Sequence, residues 1–295
     1  MCLSKLLIAL LMSAFCSANV LAGELPQTSE TALRASLERL SSRLKSNQFQ
    51  RPIYLASSET SNGLTGEVYG IVDYPIGVIR ASLGEPDYWC DVLMLHINNR
   101  ACQVSNGQAG RILTLSVVRR YDQPAEKAFG VAFTYRLVST HEHYFSAQLT
   151  AGSGPLGTSN YRIVIEAIPI SNTRSFLHFS YSYDHSTVTR LGTQAYFATF
   201  GRGKVGFTVL RKAPSGEPEL IGGMLGLVER NSMRYFLTVD AYLSAADASA
   251  TTAFERRLDY WFKACETYPR QLHEVDWDTY RDLKRADAQQ RRVQR

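Results

Sequence analysis

LTGEVYGIV, at residues 64–72, alternates apolar and polar side chains and is the stretch from which the fold can be worked out. A period of two is typical of a strand with one buried face. Pro75 and Pro86 then each start a short helix, because proline is tolerated in the first helical turn. Six further strand-like runs follow. They lie at Met94–Val104, Arg111–Tyr121, Phe129–Thr140, Tyr144–Ala151, Tyr161–Pro169 and Ser175–Asp184.

The segments between these runs are short and rich in turn-forming residues, for example NGQAG at 106–110 and STHEH at 139–143. Parallel strands need crossovers of about a dozen residues or more, so the sheet is predicted to be antiparallel. Seven strands bent around one hydrophobic space predict an α+β fold with a binding cavity.

This order resembles the START-like, or SRPBCC, helix-grip superfamily: a strand, two small helices, six strands and a long C-terminal helix. The segment DYWCDVLMLHINNRACQV, at 87–104, is similar to the region where such domains enter their second strand. GPLGTSNYRIVIEAIP at 154–169 and YPRQLHEV at 268–275 also resemble exported proteobacterial proteins of unknown role. The resemblance implies an antiparallel seven-stranded sheet wrapped on a long helix.

Helices are predicted on both sides of the sheet. The lead-in, 23–63, contains a leucine-striped helix at Ser29–Ser46. The START-like domain is placed at 64–246. It includes an inserted hairpin, in which VGFTVL at 205–210 and ELIGGMLGLV at 219–228 lie on either side of RKAPSGEP at 211–218. Either the helix that carries Val188 or the apolar helix Arg230–Ala245 is expected to close over the sheet. Residues 247–295 are predicted as a C-terminal helical extension with a basic tail.

Residues 1–22 have the features of a signal peptide: Lys5, an apolar run and a small residue, Ala22, at the cleavage position. They predict an exported, periplasmic protein. Lipidation at Cys16 is the alternative, which the bulky Phe15 disfavours.

Three cysteines remain after cleavage. Cys90 and Cys102 flank the turn into the second strand, and an oxidising compartment favours a disulfide between them. Two free thiols are the alternative. Cys265 lies on an apolar helix face and is predicted to be a buried thiol rather than a nucleophile.

The tail beyond Tyr280 has six basic and two acidic residues, which accounts for most of the formal net charge of +5. It is expected to be dispensable for folding and to contact an anionic membrane surface weakly. A solvated helix end is the alternative. RRVQR at 291–295 has no aromatic residues for base stacking, so nucleic acid is not expected as a partner.

No motif pairs a nucleophile with a base, so no catalytic residue is predicted and no cofactor is expected. His141 and His143 lack a third ligand, which argues against a metal site. His96 is interpreted as a hydrogen-bonded histidine.

Candidate ligand-binding residues combine a large ring or a charge with predicted burial. Tyrosine suits a hydrophobic site that must orient the polar head group of a ligand, because it has an apolar ring and one hydroxyl. Asp240 and Arg234 lie on a buried helix, where an ion pair is the alternative to a ligand role. The candidates are Trp89, Tyr135, Tyr161, Phe179, Tyr181, Tyr183, Arg234 and Asp240.

The sequence therefore predicts a periplasmic binding or carrier protein for a lipid or another hydrophobic small molecule. A cyclase or aromatase acting in the same cavity is the second hypothesis, because the superfamily includes such enzymes. A non-catalytic envelope interaction protein, in which the rings are only core, is the third.

Overall fold

A computed structural model describes residues 29–108, 110–198, 203–214 and 216–293. The predicted signal peptide and Cys16 lie outside the described residues. The helices are α1 Glu30–Lys45, α2 Ile76–Leu83, α3 Pro86–Leu93, α4 Thr187–Ala198, α5 Gly223–Leu243, α6 Ala250–Glu266, α7 Pro269–Leu272 and α8 Trp277–Val293. The strands are β1 Ile53–Glu59, β2 Gly63–Val72, β3 Asn99–Gly107, β4 Gly110–Val117, β5 Phe129–His141, β6 Tyr144–Ser153, β7 Thr158–Pro169, β8 Ser175–His185, β9 Val209–Lys212 and β10 Pro218–Leu220.

The main sheet has eight strands in the order β1-β2-β8-β7-β6-β5-β4-β3, and neighbouring strands are antiparallel. The predicted α+β helix-grip architecture is confirmed, but the strand count of seven is wrong. The additional strand, β1, lies in the segment that was predicted as a lead-in, where it pairs along the edge of β2. Its polar second half leaves only Ile53 and Leu55 buried, so its alternation is weak.

The helix held by the sheet is α5. It packs on β2, where glycines allow a close approach: a Cβ on Gly66 would lie 2.3 Å from Ser232 Oγ, and one on Gly70 would lie 2.7 Å from Phe236 Cζ. In α4, by contrast, Val188 is 80% exposed and Leu191 is 61% exposed. Of the two candidate helices, α5 is therefore the one that closes over the sheet.

The start of α5 differs from the prediction. The segment GGMLGLV at 222–228, expected as the second half of a hairpin, forms the first turns of the helix instead. The hairpin is reduced to β9 and β10. The buried carboxylate of Glu229 joins the two parts, because it accepts hydrogen bonds from the backbone N–H groups of Phe207 at 2.6 Å and Thr208 at 3.0 Å.

The outer face of the sheet is covered by α1. This helix starts at the N-cap Ser29, whose hydroxyl accepts a hydrogen bond from the Ala32 N–H at 3.2 Å. Its leucine stripe packs against aromatic and aliphatic side chains of the sheet. This second core consists of Leu33, Leu40, Leu44, Tyr69, Tyr144, Ile168 and Phe176.

A polar cluster lies in the same outer face. His178 is held between Glu67, 3.2 Å from its Nε2, and Glu166, 3.0 Å from its Nδ1. The Tyr144 hydroxyl donates to Glu166, and the Tyr69 ring stacks on the imidazole with ring centroids 4.2 Å apart. Burial acts to lower the pKa of His178, but the two carboxylates outweigh it, so the pKa is raised above its usual value.

The C-terminal tail is packed structure rather than a solvated end. The Tyr280 hydroxyl donates to Leu95 O at 2.9 Å, and Lys284 Nζ donates to Asn99 O at 2.6 Å. Lys284 and Asp287 are both almost completely buried. The expectation that the tail is dispensable for folding is therefore not supported.

Three arginines in the described part of the tail are also paired. Arg281 pairs with Asp278 and Asp282, Arg285 pairs with Glu255, and Arg291 pairs with Asp91. These ion pairs offset much of the charge on which the predicted membrane contact of the tail depends.

Cys90 and Cys102 form a disulfide with Cα atoms 5.3 Å apart, as predicted. Cys265 is a free, buried thiol, and burial raises its pKa. Among the helices of the described ranges, none has the length and apolar character needed to cross a membrane.

Candidate functional site

Four tyrosines meet between the inner face of the sheet and α5, and we call them the tyrosine cluster. Tyr161 comes from β7, Tyr181 and Tyr183 come from β8, and Tyr235 comes from α5. Ring centroids lie 5.2 Å apart for Tyr161 and Tyr183 and 5.6 Å apart for Tyr181 and Tyr235. Each tyrosine is 7–8% exposed, so these side chains fill the space between sheet and helix.

The cluster lies near the end of the sheet where β8 ends, β7 begins and α5 begins. Tyr183 pairs with Leu64 and Tyr181 pairs with Gly66, at the start of β2, while Ser232 of α5 lies against Gly66. We call this end the open end of the grip. Alternation along β8 places Phe179, Tyr181 and Tyr183 on the same face.

A chain of hydroxyls leads from the cluster to the surface. The Thr158 hydroxyl donates to Pro155 O at 2.5 Å and also lies 2.7 Å from the Tyr161 hydroxyl. Because a hydroxyl has one hydrogen, Tyr161 must be the donor to Thr158. The turn Pro155–Gly157 that accepts this chain contains Leu156 at φ 62°, in the left-handed region that non-glycine residues seldom adopt.

The tyrosines are neutral at physiological pH. Burial raises the pKa of Tyr161, of Tyr181 and of Tyr183, and it raises the pKa of Tyr235 to about 12. The cluster therefore presents apolar rings with hydroxyl donors and acceptors and no formal charge.

His185 is the last residue of β8, and sequence reasoning missed it. It is 5% exposed, and neither of its ring nitrogens has a hydrogen-bond partner within the described part of the chain. The available signal was the alternation through Tyr181 and Tyr183, which continues to residue 185, but the predicted strand ended at Asp184.

The cover over this end consists of α4 and the turn Pro155–Gly157. Thr189 Oγ1 of α4 donates to Leu156 O at 2.6 Å, and the backbone N–H of His185 donates to Asn62 O at 2.8 Å. Leu156, Val188 and Leu191 are exposed. This end is thus covered by a short helix on which Val188 and Leu191 are exposed.

Two of the candidate residues have a structural use elsewhere in the core. The Trp89 indole donates to Leu83 O at 2.9 Å, and the Tyr135 hydroxyl donates to Gly84 O at 2.7 Å. Together they fix the junction between α2 and α3 to β5. Phe179 is buried beside Tyr235, with ring centroids 6.4 Å apart.

Arg234 and Asp240 face away from the tyrosine cluster. Arg234 pairs with Glu274 at 2.7 Å, and Asp240 pairs with Arg51 at 2.6 Å and accepts from the Tyr260 hydroxyl at 2.9 Å. The sequence-based alternative, an ion pair, describes both residues. The partner of Asp240, Arg51, lies in the lead-in segment.

Three other histidines stood out in the sequence: His141, His143 and His96. His141 and His143 are exposed at the β5–β6 turn, and the described residues contain no group of three His, Cys, Asp or Glu side chains arranged around a common point. His96 is buried against Tyr235, with ring centroids 4.6 Å apart, and burial lowers its pKa.

A separate crevice of about 500 Å³ lies on the surface between α8 and the β4–β5 connection. Its lining includes Arg100, whose guanidinium is occupied by Asp287 and by the carbonyl of Gln123. The crevice is open to solvent, whereas the tyrosine cluster is enclosed.

The strand order, the antiparallel pairing and the enclosed helix α5 decide the fold. The chain has the helix-grip fold of START-like proteins. No family model matches the chain, and no curated protein matches it either.

Solved structures of START-like proteins are its structural neighbours. Norcoclaurine synthase from Thalictrum flavum is 16% identical and aligns 49% of this chain with 90% of its own, at a TM-score of 0.34. Zhui aromatase/cyclase from Streptomyces sp. R1128 is 10% identical and aligns 74% of this chain with 96% of its own, at a TM-score of 0.32. A START superfamily protein from Mycobacterium smegmatis is 10% identical and aligns 46% of this chain with 89% of its own, at a TM-score of 0.32. The fold assignment rests on the strand order and pairing of this chain.

Proposed function

We propose that the protein binds a lipid or another hydrophobic small molecule between the inner face of the sheet and α5, at the open end of the grip. The observation that supports this proposal is the tyrosine cluster: four rings with their hydroxyls enclosed in one apolar space. Binding sites for small molecules are mostly apolar with a few placed polar groups, and this composition matches that pattern. The ligand would enter by displacement of α4, whose Val188 and Leu191 are exposed.

The second candidate is a non-catalytic interaction protein of the cell envelope. The specific observation in its favour is that the tyrosine cluster is closed, because rings fill the space that a ligand would occupy. A cyclase-type enzyme, the other hypothesis from the sequence, would bind its substrate against the same tyrosine cluster. The two ligand-dependent hypotheses therefore share one prediction, namely that a hydrophobic probe enters the grip.

We further propose that the protein works in the periplasm. The leader-like sequence at residues 1–22 and the disulfide between Cys90 and Cys102 support this location, since disulfides persist in oxidising compartments.

The test uses matched tyrosines on opposite faces of the sheet. Tyr183 on the inner face and Tyr69 on the outer face are similarly buried, at 7% and 8% exposure. The delipidated protein is titrated with N-phenylnaphthylamine, a neutral probe that becomes fluorescent in apolar surroundings. We expect saturable binding by the wild type, weaker binding by Tyr183→Leu and wild-type binding by Tyr69→Leu.

Thermal unfolding of both variants provides the control for folding, because each substitution removes buried contacts. Binding that is lost equally in both variants would reflect stability alone. If the wild type does not bind the probe, or Tyr183→Leu loses stability but keeps full binding, the proposed site is wrong.

A further inference from the structure

We propose that His185 is the polar anchor of the site and that it selects an uncharged amphiphile whose head group carries a hydroxyl. This inference rests on the proposed function and names the class of its ligand. The site consists of the imidazole at the end of β8, the adjoining tyrosine cluster and the cover made by α4 and the turn Pro155–Gly157.

The first step is the state of the imidazole. Both ring nitrogens of His185 are shielded from solvent and lack a partner among the described residues. A buried polar atom without a hydrogen bond is unfavourable, and native proteins satisfy nearly all such atoms with protein, water or ligand. His185 is thus a buried side chain on which both ring nitrogens are available to a bound molecule.

The second step is the direction of the side chain. Along β8, Tyr181, Tyr183 and His185 are buried while Ser182 and Asp184 are partly exposed. Since successive side chains of a strand point to opposite faces, the imidazole shares the inner face with the tyrosines. Thr158, the strand partner of His185, contributes the hydroxyl to which Tyr161 donates. An apolar chain among the tyrosine rings would thus bring its polar end to His185.

The charges near His185 bear on which head group the site can bury. Two carboxylates lie near this part of the sheet, and each has a partner. Glu59, whose charge adds to the raised pKa of Tyr183, is paired with Arg190 of α4 at 3.6 Å. Asp184 lies on the opposite face, where it accepts a hydrogen bond from Asn160. The residues placed beside His185 on the inner face are Tyr183, two positions earlier on β8, and Thr158, its strand partner on β7, and neither side chain carries a formal charge. Burying a formal charge without a counter-ion is far more costly than burying a hydroxyl, so these neighbours favour an uncharged head group.

The hydrogen-bonding groups of a neutral imidazole match those of a hydroxyl. A neutral imidazole has one N–H donor and one nitrogen acceptor. A hydroxyl also donates once and can accept, so an alcohol can pair with the imidazole, whereas an alkane can pair with neither nitrogen and a carboxylate can only accept. The chemistry of His185 therefore points to a hydroxyl-bearing amphiphile.

The experiment compares three probes of equal chain length on the delipidated protein: decanol, decane and decanoate. Each is measured by its competition with N-phenylnaphthylamine. We expect the wild type to bind decanol more tightly than the other two. His185→Phe, which keeps an aromatic ring but removes both nitrogens, should weaken decanol binding about tenfold and leave decane unchanged. His143→Phe, at the exposed β5–β6 turn, is the matched control and should behave as the wild type.

The ligand-free stability of His185→Phe adds an independent measurement. If the nitrogens are unpaired, their removal should leave the melting temperature unchanged or raise it. A large fall would show that the imidazole is satisfied within the free protein, by bound water or by another group, and would overturn the inference.

The outcomes separate the inference from the proposed function. Equal binding of the three probes, unaltered by His185→Phe, would overturn the role of His185 while a hydrophobic site remained. Tighter binding of decanoate than of decanol would overturn the choice of an uncharged head group. Failure of every probe, N-phenylnaphthylamine included, would overturn the proposed function itself.

Discussion

Replacing Asp287 by alanine should destabilise the protein by several kcal/mol, although the residue lies only eight positions before the end of the 295-residue chain. Its carboxylate accepts from Arg100 Nε at 2.9 Å and from Lys284 Nζ at 3.3 Å. Asp287 and Lys284 are each 2% exposed, so the variant leaves a buried ammonium and a partly buried guanidinium without their anion. Removing one partner of a buried ion pair costs about 3–5 kcal/mol.

The assay is urea unfolding at neutral pH, followed by tryptophan fluorescence, to which Trp261 and Trp277 in the extension contribute together with Trp89 in the core. Asp282→Ala is the control. The Asp282 side chain is 66% exposed and pairs with Arg281 on the same helix surface, so its loss should cost less than about 1 kcal/mol. If Asp287→Ala lost no more stability than Asp282→Ala, the packing of α8 described above would be refuted.

The remaining predictions concern the disulfide and the outer-face cluster. Without residues 1–22 the denatured, unreduced protein should show one free thiol, Cys265, and three free thiols would disprove the bridge. The double substitution of Cys90 and Cys102 by alanine should lower the free energy of unfolding in urea by about 3 kcal/mol. The raised pKa of His178 contributes stability that is fully present below its ordinary pKa of 6.5 and is lost as the pH rises through the raised value. The hydrogen bond to His178 lowers the pKa of Glu67, so that contribution is present above the ordinary pKa of 4.5 and is lost as the pH falls through the lowered value. The difference in unfolding free energy between the wild type and His178→Ala should therefore be largest between these limits, and a difference independent of pH would contradict this reading of the cluster.

Lys284 provides a pH test whose sign is opposite to that of His178. Burial lowers its pKa to about 8, against 10.5 for an exposed lysine, and Asp287 offsets part of this fall. Between these values the unfolded chain binds more protons than the folded protein, so the contribution of this group to stability rises with pH. Unfolding free energies of the wild type and Lys284→Met should diverge over this range in favour of the wild type. Parallel curves would show that Lys284 is solvated.

The sequence predicted the parts of the fold that depend on local pattern. Alternation of side chains and the positions of Pro75 and Pro86 were enough for β2, for α2 and α3 and for the antiparallel sheet. β1 was missed because an edge strand with a polar half has little alternation. The start of α5 was missed because GGMLGLV at 222–228 has the glycine content of a turn and a strand-like apolar pattern, and only packing against Gly66 decides for the helix.

The site was predictable to the extent that it follows strand alternation. Tyr161, Tyr181 and Tyr183 meet because they share the inner face of neighbouring antiparallel strands. Arg234 and Asp240 could not be placed, because their partners, Glu274 and Arg51, come from distant segments that no local pattern connects with them. The same reasoning explains the tail: its charges look solvated in the sequence, and only the tertiary contacts of α8 show that they are paired.

The central claim is that the space between the sheet and α5 holds a hydrophobic molecule. The most direct measurement is native mass spectrometry of the protein purified without organic solvent, followed by extraction and analysis of what is released. The account predicts an adduct of defined mass in one-to-one stoichiometry, which is removed by extraction and restored by decanol. A protein that carries no adduct and takes up none of the three probes would contradict the claim and would favour an interaction protein whose tyrosine cluster is only core.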